Sequence, residues 1–199
     1  GEHPQLPLRT VSVNLTGQQV ADATLLDRID SLLDDCQLSG DKLRIEITER
    51  TVADDFEEVK QVMQCLEKRG VRFYLDDFGT GYSNLSSVLS LPFEVIKFDQ
   101  SLVQMMGNSR SGYRTIELLT QIMHENGMVV VAEGIETVQQ VQSARETGVD
   151  RIQGFYFVKP LPEEELEAFL LESKTPLQAA TWLVARGNKF SDEQFSSTN

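Results

Sequence analysis

The sequence predicts an α/β fold of the parallel (β/α) barrel class, with about six βα units present. Three observations lead there. Short apolar runs alternate with longer helical ones through most of the 199 residues, which is the pattern of a parallel sheet covered by helices. The short runs are rich in Val, Ile, Leu and Phe, as strands buried on both faces require. And a polar residue stands within or at the end of each of six runs: Asn14, Glu46, the pair Asp76-Asp77, Lys97, Glu133 and Gln153. An open doubly wound sheet competes with the barrel. It gathers its site at one switch point, whereas the C-terminal strand ends of a barrel all converge on one mouth. Six contributing strands favour the barrel.

Taken in order, Val11–Leu15 is the first strand, followed by a helix over Leu25–Cys36. Leu43–Ile47 is strand and Phe56–Lys68 helix, closed by Gly70. Val71–Leu75 comes next, then a short helix over Leu85–Leu91 stopped before Pro92. Glu94–Phe98 is strand, Tyr113–Glu125 helix, Met128–Ala132 strand, Val138–Glu146 helix, and Arg151–Phe157 the last strand. A helix over Glu163–Glu172 follows Pro162. Residues 1–173 thus form the domain. Residues 174–199 read as an extension, with a helix over Leu177–Ala185 and then a polar, frayed end. A TIM-type barrel needs eight strands and typically about 250 residues, so two strands are expected to be missing at the N-terminal side.

Composition narrows the function. A formal net charge of −13 argues against a DNA- or RNA-binding surface, which wants basic patches. It permits an anionic substrate when divalent cations invert the local field. No apolar run approaches the roughly 20 residues of a membrane helix, and no signal peptide is visible at Gly1–Arg9. Cys36 and Cys65 have no metal-ligand spacing and suggest no disulfide framework, so a cytoplasmic setting is expected.

Glu46, Asp76, Asp77 and Glu133, with the amide oxygen of Asn14, would repel one another severely at one mouth without cations. Such oxygen donors suit two hard ions, Mg²⁺ or Mn²⁺. A pair of ions stabilises the attacking and leaving oxygens of a phosphodiester displacement. Lys97 would hold the attacking hydroxide or neutralise charge on the phosphoryl oxygens; Glu133 would ligate or accept a proton; Gln153 would orient a water. Each residue also has a bland explanation. Asp-Asp-Phe-Gly-Thr-Gly can be a capped turn, Glu46 an outward-facing strand residue, Lys97 a solvated edge residue, Asn14 a turn former and Glu136 a first-turn acid. Six strand ends all compatible with one metal site are harder to explain that way.

The motifs, in order, resemble those of the EAL-domain phosphodiesterases that hydrolyse cyclic di-GMP. They are Ser-Val-Asn-Leu at 12–15, Glu-Ile-Thr-Glu at 46–49, Asp-Asp-Phe-Gly-Thr-Gly at 76–81, Ile-Lys-Phe-Asp at 96–99, Ala-Glu-Gly-Ile-Glu-Thr at 132–137 and Gln-Gly-Phe at 153–155. The resemblance implies metal ligation by Asn14, Glu46, Asp76, Asp77 and Glu133, and catalytic roles for Lys97, Asp77 and Glu133. It implies supporting or water-orienting roles for Glu49, Asp99, Glu136 and Gln153. The Glu-Ala-Leu signature belongs upstream of Asn14, and none of the thirteen residues before it matches. The chain is therefore expected to be an N-terminally incomplete barrel whose own activity is open, cut from a parent with a sensory or GGDEF domain upstream that can also carry a membrane anchor. Open edges predict a dimer or higher oligomer, with Trp182 and Leu183 covering exposed surface. The alternative function is a non-catalytic cyclic di-GMP receptor.

Overall fold

The computed structural model describes residues 10–82, 84–172 and 182–183. In order, the elements are β1 (Val11–Leu15), α1 (Gly17–Val20), α2 (Leu25–Asp35), a 3₁₀ turn (Gly40–Lys42), β2 (Leu43–Thr48), α3 (Glu49–Asp54), α4 (Phe56–Glu67), β3 (Arg72–Phe78), α5 (Leu85–Leu89), β4 (Phe93–Phe98), α6 (Gln100–Asn108), α7 (Arg110–Glu125), β5 (Val129–Ala132), α8 (Val138–Thr147), β6 (Arg151–Ile152), α9 (Glu163–Glu172) and β7 (Trp182–Leu183).

The sheet order is β1-β2-β3-β4-β5-β6-β7, and every pair from β1 to β6 is parallel. Such unbroken sequential winding belongs to a (β/α) barrel; a doubly wound sheet reverses its order at a switch point. The sheet is not closed among the described residues. β7 adds to the edge of β6 in antiparallel sense, pairing Arg151 with Leu183 and Ile152 with Trp182.

Alternation along the strands decides which residues reach the core. In β2, Leu43, Ile45 and Ile47 are buried while Arg44, Glu46 and Thr48 on the other face are half-buried. Ile45, Ile47, Phe73, Leu75, Ile96 and Phe98 join Val59, Met63 and Leu66 of α4, Val103 and Met106 of α6, and Ile116 and Met123 of α7 in one cluster. Val59, Met63 and Leu66 recur at helical spacing, and Glu57 and Glu58 sit in the first turn, where acids favour the helix dipole. Truncating a buried core residue such as Ile47 or Leu75 to Ala costs about 2–5 kcal/mol.

Three expectations are corrected. The last strand stops at Ile152 and not Phe157, because the chain turns at once: Tyr156 N–H donates to Ile135 O and Phe157 N–H to Gly154 O. Third-strand pairing runs past Leu75 to Phe78, so both aspartates lie inside β3. The helices α1, α3 and α6 stand where loops were expected. Of the helix expected over Leu177–Ala185, Trp182 and Leu183 pair as strand; the rest, and the surface those side chains would cover, lie outside the described residues.

Candidate active site

The acidic pair on β3 sits in a break of register. Leu75 pairs with Ile96 and Phe78 with Phe98, so Asp76 and Asp77 together oppose the single residue Lys97. This is a β-bulge, which inserts one residue and re-aims its side chain. Asp76 keeps the alternation of Tyr74 and is in register with Thr48. Asp77 takes a left-handed backbone (φ +56°), costing about 1 kcal/mol for an L-residue, and is exposed. Phe78 then returns to the core and stacks on Phe98 at 5.7 Å. Asp77 N–H donates to Asp76 Oδ1 (3.1 Å).

Lys97 gathers the site. Its side chain is 10% exposed, and Nζ donates to Glu46 Oε2 (2.8 Å) and Asp76 Oδ1 (3.1 Å). Nζ also lies 2.7 Å from Glu133 Oε1 as an ion pair, off the hydrogen-bond direction. That leaves Glu133 Oε1 buried without a hydrogen-bond partner among the described residues. Burial works against the Lys97 charge, but Glu133, Glu46 and Asp76 outweigh it and raise its pKa well above the ordinary lysine value. Glu133 is pushed up by burial, and by Asp76 and Glu46, against the opposing pull of Lys97. Asp77 is raised by burial and by the neighbouring charges of Asp76 and Asp99. The mouth thus carries more negative charge than its one ammonium balances.

Glu49 begins α3, whose N-cap Thr48 accepts from Thr51 N–H. Its carboxylate is buried at 2% exposure, and Oε2 accepts from Gly79 N–H (2.9 Å), Thr80 N–H (2.9 Å), Thr80 Oγ1 (3.0 Å) and Gly81 N–H (3.3 Å). The loop after Asp77 is therefore folded around one oxygen. Asp99 caps α6 by accepting from Ser101 N–H (2.8 Å). Burial raises its pKa, but the hydrogen bonds from Ser101 and Gln100 outweigh that and hold it below the usual carboxylate range.

The remaining expected residues stand further out. Asn14 is exposed on β1, in register with Glu46. Gln153 is exposed, and its backbone is laced to the Glu133 loop: its N–H donates to Ala132 O (2.9 Å) and its carbonyl accepts from Ile135 N–H (3.1 Å). Beside it opens a cavity of about 390 Å³ lined by Phe155, Pro160, Leu161, Leu166 and Phe169, with Lys159 over the Phe155 ring. Glu136 is exposed and ties the loop through its own N–H to Gln140 Oε1.

Among the described residues no three His, Cys, Asp or Glu side chains group as a ready cation site; Glu46, Asp76 and Glu133 each lie within 3.1 Å of Lys97 Nζ. The donor chemistry nonetheless fits a hard cation: every candidate ligand presents oxygen, and the acids outnumber the Lys97 ammonium they share. Sequence reasoning missed Thr80, which bonds Glu49 through both its backbone and its hydroxyl. It also missed the bulge, whose signal was present: two adjacent acids cannot both lie on one face of a regular strand.

A family model described as EAL domain matches residues 2–160. The cyclic di-GMP phosphodiesterase NbdA of Pseudomonas aeruginosa is 31% identical over 173 residues, covering 85% of this chain and 22% of NbdA. The solved PaMucR phosphodiesterase in complex with c-di-GMP superposes with a TM-score of 0.73 at 30% identity, over 79% of this chain and 64% of that one. Klebsiella pneumoniae BlrP1, solved as a manganese and cyclic di-GMP complex, gives 0.72 at 28% identity over 79% of this chain and 41% of BlrP1. The chain spans about a fifth of the length of the curated relatives it matches. With the family model covering most of its length and the fold shared, this chain belongs to the EAL-domain family.

Proposed function

We propose that this domain hydrolyses cyclic di-GMP to the linear dinucleotide pGpG. The observation that carries the reading is the convergence of Glu46, Asp76 and Glu133, from β2, β3 and the end of β5, on the buried ammonium of Lys97. Two divalent cations, Mg²⁺ or Mn²⁺, held by Asn14, Glu46, Asp76, Asp77 and Glu133, would supply the charge that draws an anionic phosphodiester to this mouth and activates a water. Lys97 Nζ neutralises charge growing on the phosphoryl oxygens. The Glu133 carboxylate ligates a cation or takes a proton from the attacking water. The water oxygen bonds to phosphorus as the bond to the 3′-oxygen breaks, and that oxygen takes a proton from solvent and leaves as a free hydroxyl. Gln153 orients the water, while Glu49, Asp99 and Glu136 hold the loops. The aromatic cavity beside Gln153 suits a stacked purine base.

The test is hydrolysis of cyclic di-GMP in Mg²⁺ or Mn²⁺, with Asp76→Ala alongside. Metal-dependent release of pGpG that falls at least about 100-fold in the variant supports the reading. A second reading, a receptor that binds the dinucleotide without cleaving it, draws support from Lys97 occupying the centre of the acidic ring. Tight binding unchanged by chelator, with no product, would select it.

The domain is further read as a cytoplasmic module of a longer signalling protein, working as a dimer or larger assembly. Relatives such as the oxygen sensor protein DosP of Escherichia coli are several times longer than the segment matched. Both cysteines are free, and no helix among the described residues is long and apolar enough to cross a membrane. Val11 and Val13 are about half exposed on the sheet's edge strand β1. A light-scattering mass of one chain at every concentration would sink the dimer.

A further inference from the structure

Both acid-bearing loops rest on the first turn of α6. A Cβ added at Gly79, whose φ is +108°, would lie 2.4 Å from Leu102 Cγ and Cδ1. Added at Gly134, it would lie 2.9 Å from Gln100 Cγ and 3.0 Å from Gln100 Cβ. The backbones of the Asp76-Asp77 loop and the Glu133 loop are thus pressed onto two side chains of one helical turn. A side chain at either position would have to displace Leu102 or Gln100, and both glycines take a positive φ, +108° and +68°, that L side chains rarely adopt. The backbone repeats the arrangement: Asp99 N–H donates to Phe78 O (3.1 Å), and Glu133 N–H donates to Phe98 O (3.0 Å).

The turn has a firm backing. Leu102, Val103 and Met106 are buried. Gly112 of α7 packs so closely on the Met105 carbonyl that a Cβ there would sit 2.3 Å from it. Thr147 of α8 reaches Met106 Sδ at 3.9 Å. A helix fixed at its far end and wedged between two loops at its near end transmits a shift of one loop to the other, since packed interiors do not deform locally at low cost.

We infer that the first turn of α6 couples the two acidic loops, and that Gln100 and Leu102 are positioning residues which set Asp76 and Asp77 against Glu133. Neither side chain belongs to the polar ring; each acts through the glycine it supports. The inference rests on the phosphodiesterase reading for what the spacing serves, while the coupling itself stands apart from the chemistry.

The experiment is amide hydrogen exchange, read peptide by peptide, on the full chain and on Leu102→Ala, Gln100→Ala and, as a control, Met105→Ala from the exposed side of the same helix. Leu102→Ala is expected to speed exchange roughly 3- to 30-fold at Gly79–Gly81 and also at Gly134–Glu136, whose glycine packs on Gln100. Gln100→Ala is expected to do the converse. Met105→Ala should leave both loops unchanged. If each substitution loosens only the loop it contacts, or if the control matches them, the coupling is wrong. Should Leu102→Ala fail to fold, Gln100→Ala decides alone, since the Gln100 side chain is exposed. Mn²⁺ affinity measured calorimetrically on the same proteins separates the two claims. A wild type that binds no Mn²⁺ refutes the metal reading and leaves the exchange data to judge the wedge. Weaker Mn²⁺ binding in both variants, with folding intact, supports both.

Discussion

Glu46 and Lys97 are 51 positions apart in the chain and meet at 2.8 Å, reaching over the intervening strand β3. The contact bridges two strands that share no hydrogen bond. It is made possible by the inward turn of alternate side chains on both.

Removing the ammonium should therefore do more than cost one ion pair. Lys97→Met leaves Glu46, Asp76 and Glu133 facing one another in a half-buried space, and is expected to destabilise the domain by about 3–5 kcal/mol at pH 8. The loss should shrink on acidification as Glu133, whose pKa is already raised, takes up a proton. Urea unfolding at several pH values measures this; equal stability of the two proteins would contradict it.

Glu49 offers a single oxygen to four donors. Glu49→Ala leaves three backbone N–H groups of residues 79–81 without that acceptor, at an expected cost on the order of 3 kcal/mol. Far-UV circular dichroism should stay native while amide protection of the loop disappears. A loop as protected as in the wild type would show that other acceptors hold it.

Asp99 supplies the pH dependence with the clearest sign. Its folded pKa lies below the unfolded value, so its stabilisation is present above the unfolded pKa and is lost as pH falls through the folded one. Asp99→Ala should lose about 1 kcal/mol at neutral pH, as a missing helix cap does. The gap between variant and wild type should close below about pH 4. Parallel stability curves across that range would refute the assignment.

Gly154 lies against the Glu133 loop: a Cβ there would sit 2.1 Å from Ile135 O and 2.3 Å from Ile135 N. Gly154→Ala should cost about 2 kcal/mol or more by overpacking. It should also break the backbone bonds that join Gln153 to Ala132 and Ile135. Calorimetric melting checks the first effect and hydrogen exchange at Ile135 the second.

Much of this molecule is legible in the chain because its signals are local. Helices α4 and α7 announce themselves by apolar residues at helical spacing and by the glycines after them. Polar residues inside otherwise apolar strands mark the mouth. What escaped was of two kinds. Short helices such as α3 and α6 carry few turns of pattern, and their caps, Thr48 and Asp99, look like ordinary loop residues until the hydrogen bonds are seen. Long-range geometry escaped in part: the sequence gathers Lys97 and the acids at one mouth, but no spacing rule says which of them its ammonium will bond, or that Glu49 will collect the N–H groups of residues 79–81. Those depend on register between strands, which a single sequence states only weakly.

The bulge at Asp76-Asp77 separates what the sheet needs from what the chemistry needs. Without Asp77, β3 would run in unbroken alternation from Leu75 through Asp76 to Phe78, with Phe78 still directed at Phe98. The left-handed residue is an addition to a strand that is complete without it. Deleting Asp77 should leave the sheet in register while removing one of the proposed metal ligands. What the loop would lose is the Asp77 carbonyl, which accepts from the Thr80 hydroxyl at 3.0 Å.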